Sequence, residues 1–232
     1  MTDSYMHYAQ QQSYGITADS QFRSVAGTRS GALFVADVED QWRRAGKVFQ
    51  THNPTLGTAI TFSAAAAGGH VLTAPSIRMS VPTSLVVVPL RLGVTFSAMA
   101  GTPNEAALIA TDTDTYSSGG TSVTLTAYNT VVDGVTALGT SAVTNLRSGS
   151  GSALVEGTIT NPRVIDIQYF ARADAVSEPK AEWRWSAKAS GGYHYVHGAA
   201  SILIFISAVT TASAGEFYFE WAELNKSEIV NS

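Results

Sequence analysis

Phe217, Phe219 and Trp221 stand at alternate positions in the run Gly215-Glu-Phe-Tyr-Phe-Glu-Trp-Ala-Glu-Leu224, with Tyr218 and Glu220 between them. On a strand this spacing turns three large rings to one face and the polar groups to the other. A slip of one residue would expose all three rings, so the run commits its strand to one register and one buried face. From about Thr58 onward the chain has the same texture, short β-branched and aromatic runs separated by Gly, Pro, Asn and Ser clusters. The pattern predicts an all-β sandwich.

Candidate strands fall at about residues 58–63, 71–81, 85–96, 106–111, 122–129, 153–159, 164–172, 182–188, 201–209 and 216–224. That is more than one flat sheet carries without curling, so two packed sheets are expected. Val86-Val-Val88 and Ile202-Leu-Ile-Phe-Ile206 are continuous apolar runs, the mark of strands covered on both faces, whereas Leu90, Leu92, Val94 and Phe96 alternate like a half-exposed strand. Pro89 sits between those two patterns and marks an edge position, a bulge or a bend. No period of 20 to 50 residues repeats, which argues against a propeller or solenoid.

Ahead of the strands lies one helical pattern, making one short helix the expectation. Between Leu33 and Ala45, Leu33 or Phe34, Val38, Trp42 and Ala45 recur at spacings of three and four. Asp37, Glu39 and Asp40 come early, Arg43-Arg44 late, and Gly46 stands where a helix would end. Residues 32–36 read equally as a strand leading into a shorter helix. Residues 1–30 have aromatic anchors without periodicity, which describes either an extended N-terminal arm or a disordered tail. Tyr5, Tyr8, Tyr14 and Phe22 are its candidate partner contacts, because large flat side chains suit a segment that orders against a neighbour. Residues 31–232 carry no linker and read as a single β-sandwich domain.

Charged residues make up 14% of the chain, against about 25% in ordinary soluble domains. Sparse charge is what subunit interfaces show. A net charge of −4, a pI near 5.7 and scattered basic residues argue against a nucleic-acid partner. The absence of cysteine excludes disulfides and thiolate chemistry. The start of the chain lacks a signal-peptide pattern and no apolar stretch reaches bilayer length, so the expectation is a chain made in a cytoplasm with no membrane partner.

Catalytic and metal-binding patterns are weak. His194 and His197 are three apart and would face opposite ways on a strand. Asp112 and Asp114 lack the glycine and terminal glutamate of a calcium loop and read as solvated loop acids. Glu216 and Glu220 would share a face about 13 Å apart by strand rise, beyond the glycosidase range, and read as outward charges that discourage edge pairing. No nucleophile elbow, phosphate loop or dinucleotide fingerprint occurs. No catalytic, cofactor or metal residues are therefore assigned. Trp183 and Trp185 alternate on one strand, and with Tyr193 and Tyr195 they form either a core or interface patch or, if exposed, a row that stacks on sugar rings.

The order of segments resembles a group of bacteriophage virion proteins with a jelly-roll fold. The matching stretches are Gly31-Ala-Leu-Phe-Val35, Arg44-Ala-Gly-Lys-Val-Phe49, Gly57-Thr-Ala-Ile60, Ala74-Pro75, residues 85–92 and residues 216–224. The resemblance implies a jelly-roll-type sandwich in a non-enzymatic shell component, a trimeric capsid cement or decoration protein. Its partners would be itself, as a homotrimer, and the major capsid protein or other virion proteins. It would be made in the host cytoplasm and located in the virion, with no cofactor. The alternatives are a tail- or fibre-associated carbohydrate-binding module, receptor-binding or linked to a polysaccharide depolymerase, which needs Trp183 and Trp185 exposed beside convergent acids, and a small-molecule binder with a cavity between the sheets.

Overall fold

A computed structural model of the chain describes residues 37–62, 72–98, 104–118, 123–131, 139–149, 154–159, 161–170, 182–208 and 212–229. In chain order these form α1 (Val38–Arg44), β1 (Val48–His52), β2 (Ile60–Thr61), β3 (Ile77–Val81), β4 (Leu85–Ala98), β5 (Asn104–Ala110), β6 (Tyr116–Ser118), β7 (Val123–Thr124) and β8 (Tyr128–Asn129). There follow β9 (Thr144–Ser148), β10 (Val155–Glu156), β11 (Arg163–Phe170), β12 (Glu182–Ser186), β13 (Val196–His197), β14 (Ala200–Ala208), β15 (Ala214–Asn225) and α2 (Lys226–Ile229).

The strands make an all-β sandwich. One sheet has the order β12-β4-β15-β1-β8, with β13 also on β4 and β2 on β15, and the other has the order β11-β5-β14-β3-β9-β7. The core between them takes Phe49, Leu92, Val94, Phe96, Trp183, Phe217, Phe219 and Trp221 from the first sheet and Ile77, Met79, Leu108, Ile202, Ile204 and Ile206 from the second. The alternation read in the last run holds for its rings, and Phe219 and Trp221 stack at 5.6 Å between centroids. The strand containing them lies between β4 and β1, so it is central and not an edge.

Pro89 marks a bulge, one of the three readings its sequence context left open. Glu220 pairs with Arg91 and Trp221 with Pro89, so Leu90 is an extra residue on β4. One extra residue reverses the facing of everything beyond it. Leu85 and Val87 point into the core before the bulge and Leu92, Val94 and Phe96 after it, while Val88 and Leu90 join Val48, Ala222 and Leu224 on the outer face. Leu90 therefore does not belong to the alternating set with which its spacing grouped it.

Each sheet carries an outer layer. Trp42 of α1, Tyr193 and Ile229 pack on the outer apolar cluster of the first sheet. On the second sheet Leu72 and Ile159 pack over Ala107, Ile109, Leu203 and Phe205, and β6 pairs with β10 in a separate two-stranded ribbon. These covers explain why Val86–Val88 and Ile202–Ile206 are apolar throughout.

Several expectations are corrected. The described helix is Val38–Arg44, and the first residues of the pattern from Leu33 to Ala45 lie outside the described ones, as does the 1–30 arm. Asp37 caps it, accepting from the Glu39 amide at 3.1 Å. Its buried residue is Glu39, while Val38 is exposed, because ion pairs add to the apolar contact of Trp42 in docking this helix. A second helix, the single turn α2, was not foreseen, and neither were β1, β6, β9 and β13. The expected strands at 58–63, 122–129 and 153–159 are reduced to two-residue pieces.

Phe219→Ala is expected to cost about 3–5 kcal/mol, as for a buried aromatic, and Tyr218→Ala less than about 1 kcal/mol. Denaturant titration measures both, and equal losses would contradict the register.

Candidate functional site

The residues singled out from the sequence do not converge. Tyr5, Tyr8, Tyr14 and Phe22 lie outside the described residues. Trp183 and Trp185 do point the same way, but inward, with 2% and 5% of their surface exposed. Trp183 donates from Nε1 to Asp166 on β11 at 2.8 Å, joining edge strands of the two sheets. The exposed sugar-stacking row built on this pair is thereby overturned, and the core alternative holds. Tyr193 is half-buried against Trp42, with ring centroids 5.4 Å apart and edge to face. Tyr195 is exposed, as are His194 and His197. Among the described residues no group of three or more His, Asp or Glu is placed to hold a metal, and no helix is long and apolar enough to cross a membrane.

Two buried ionic clusters went unseen in the sequence. The first holds α1 to its sheet. Glu220, expected to face solvent, is buried because Arg43 of α1 lies over it and pairs with it. Arg91 stands 3.0 Å from Glu39 and 3.8 Å from Glu220, and Tyr193 donates its hydroxyl to Glu39 at 3.2 Å. Lys188 pairs with Asp37. That bond, helped by the Glu39 amide, holds the Asp37 carboxyl below its ordinary value and raises the Lys188 ammonium above its own.

The second cluster surrounds Arg78, a fully buried guanidinium on the outer face of β3. Its Nη2 lies 2.9 Å from Asp114 and 3.0 Å from Ser201 Oγ. Its Nε is 2.6 Å from Glu156 Oε1, a charge contact off the hydrogen-bond axis, and Tyr116 lies against the guanidinium at 4.3 Å. Asp114 lies on an exposed loop, as Asp112 does, yet its carboxylate is tied to the sheet by Arg78 and Ser201. Burial pushes its carboxyl up, but bonds from Ser80, Ser201, the Tyr116 amide and Arg78 outweigh that and leave it lowered. Glu156 is raised by burial, which exceeds the pull of Arg78 and of the Thr115 hydroxyl at 2.8 Å. The cluster ties the segment carrying β6 and β10 to the second sheet.

A third arrangement lies on the open part of the first sheet's outer face, beyond α1. Across four strands the register aligns Arg184 with Gly93, Gly93 with Tyr218, and Tyr218 with His52. The Tyr218 ring lies down over Gly93, for a Cβ added there would sit 2.3 Å from its Cε1. His52 stacks on Tyr128 at 5.1 Å with the planes 4° apart. The one sequence signal for this row was Gly93 inside a strand, which marks a close approach. Elsewhere, an open groove of about 380 Å³ lined by Thr124, Leu125, Asn145 and Arg147 has no paired acid and base.

Comparison with family models, with curated proteins and with solved structures finds no match.

Two outcomes follow for the Arg78 cluster. Arg78→Met leaves Glu156 buried without its cation and should cost about 3–5 kcal/mol, while adding Glu156→Leu should recover most of that loss; denaturant titration of the single and double variants checks this. Asp114, lowered, contributes stability that is lost as pH falls below the ordinary aspartate range. Glu156, raised, acts in the opposite sense, weakening the fold as pH rises from the ordinary glutamate range toward its own value. Asp114→Asn should flatten the acid limb of the stability–pH curve and Glu156→Gln the segment above it.

Proposed function

We propose that this protein is a non-enzymatic structural subunit of a bacteriophage virion, a self-associating jelly-roll-type cement or decoration protein that stabilises a head through subunit contacts. The homotrimer and the partnership with a major capsid protein are part of that reading. The observation that supports it best is β11. Among the described residues this eight-residue strand pairs only with β5. Val164, Ile167 and Tyr169 lie on the outer face of the sheet and are 54%, 61% and 55% exposed. A monomer gains nothing from such an apolar stripe at a sheet edge, and a subunit contact does.

The strand is also protected against indiscriminate backbone pairing. The register shifts at Ile165, and Asp166 turns its carboxylate to Trp183 on the core side. Both are devices that blunt an edge. Contact through β11 then goes by way of its apolar side chains, and it is selective for a surface shaped to them. The sparse charge of the chain, 14%, fits the same purpose.

Solution mass tests the reading. The intact chain should exceed the 24.4 kDa monomer, with three copies expected, and Ile167→Lys should return it to the monomer without loss of fold. A parent that remains monomeric and does not add to phage heads would overturn the proposal.

A further inference from the structure

We propose that the outer face of the first sheet, beyond α1, is a saccharide-binding platform centred on Tyr218. The site is independent of the virion reading and of the buried tryptophans. Its centre is an aromatic ring laid flat. Tyr218 has no side chain beneath it at Gly93, so the ring rests on the strand backbone and turns its other face outward, 44% exposed. An upright tyrosine presents an edge and a hydroxyl, whereas a reclining one presents a π face to stack against the C–H side of a pyranose ring.

The neighbours supply what a sugar needs besides stacking. His52 is opposite Tyr218 in register and extends the aromatic surface to Tyr128, which is itself exposed. His52 Nδ1 lies 2.7 Å from the Asn53 carbonyl. A carbonyl only accepts, so Nδ1 carries a proton, and in the neutral ring Nε2 is the acceptor. On the other flank Arg184 is held by Glu182 at 2.7 Å, a fork of donors beside a carboxylate acceptor. Thr95 and exposed Glu216 complete the next row. From Arg184 to His52 the row crosses three inter-strand spacings, about 14 Å, room for more than one sugar ring.

The same residues discriminate among ligands. Among the described residues of these rows, two carboxylates, Glu182 and Glu216, accompany one cation, Arg184, so a polyanion such as nucleic acid or a sulfated glycan finds no neutralising stripe there. Among the described residues the row has no exposed aliphatic anchors of the kind that β11 carries, which disfavours a protein hot spot. A neutral oligosaccharide satisfies both conditions.

The test is titration of the intact protein with neutral oligomers of glucose, galactose, mannose and N-acetylglucosamine, with heparin as the polyanion, following the ring resonances of Tyr218, Tyr128 and His52. At least one neutral oligomer should shift these rings saturably. Tyr218→Phe should bind as the parent does and Tyr218→Ala should lose about tenfold or more in affinity, both staying folded with melting temperatures within about 4 °C of the parent's. Absence of a saturable shift with every neutral oligomer, binding by heparin alone, or binding unchanged in Tyr218→Ala would overturn the proposal. None of these results bears on the oligomer mass, so this site and the virion reading fail separately.

Discussion

The pairing of β4 with β15, and the one-residue bulge at Leu90 within it, is the constraint on which the other features depend. These are the two longest strands and they run side by side from Leu85 to Ala98. A regular pair of that length would carry one set of side chains inward throughout. The extra residue lets Leu85 and Val87 face the core at one end and Leu92, Val94 and Phe96 at the other, while Leu90 and Arg91 turn outward. The outer face is thereby divided. One half is apolar and lies beneath α1, and the other is polar and open, with Gly93 and Tyr218 at its middle. Pro89 fits at this place because the irregular ladder frees it from donating a hydrogen bond.

The outer layers are held largely by charge. α1 has seven residues, too few to be stable alone, and its contact through Trp42 is supplemented by Arg43 on Glu220 and Glu39 on Arg91. The β6–β10 ribbon is likewise tied down by Arg78. Buried pairs of this kind add little net stability over apolar packing, yet removing one member is costly. They act as locators, defining where a cover sits on a sheet that is apolar beneath it.

Sequence periodicity captured what neighbouring residues decide and missed what distant ones decide. The rings of β15 were legible because their spacing alone commits the face, and so was Asp37 followed by acids and then arginines at the ends of α1. Glu220 was misread as a solvent-facing charge, since its partner Arg43 is far away in the chain and no local pattern shows that a helix lands there. Asp114 is exposed, as its loop context suggests, but its link to Arg78 was hidden for the same reason, that cation being on β3. The strand β1 escaped notice because Gln50, Thr51 and His52 look polar, although Thr51 faces the core and Gln50 and His52 lie on the divided outer face. Trp183 and Trp185 were correctly placed on one face, but alternation cannot tell the inner face of a sandwich from the outer one.

The Arg43–Glu220 pair also has a mechanical meaning. Glu220 lies near the middle of β15, which pairs with both β4 and β1, while Asp37 and Glu39 at the start of α1 are held by Lys188 and Arg91, so the helix is fastened at both of its ends. A load on α1 is therefore shared among separate ion pairs rather than carried by one. A short helix pinned by ions at both ends thus serves as a clasp across the outer face of the sheet.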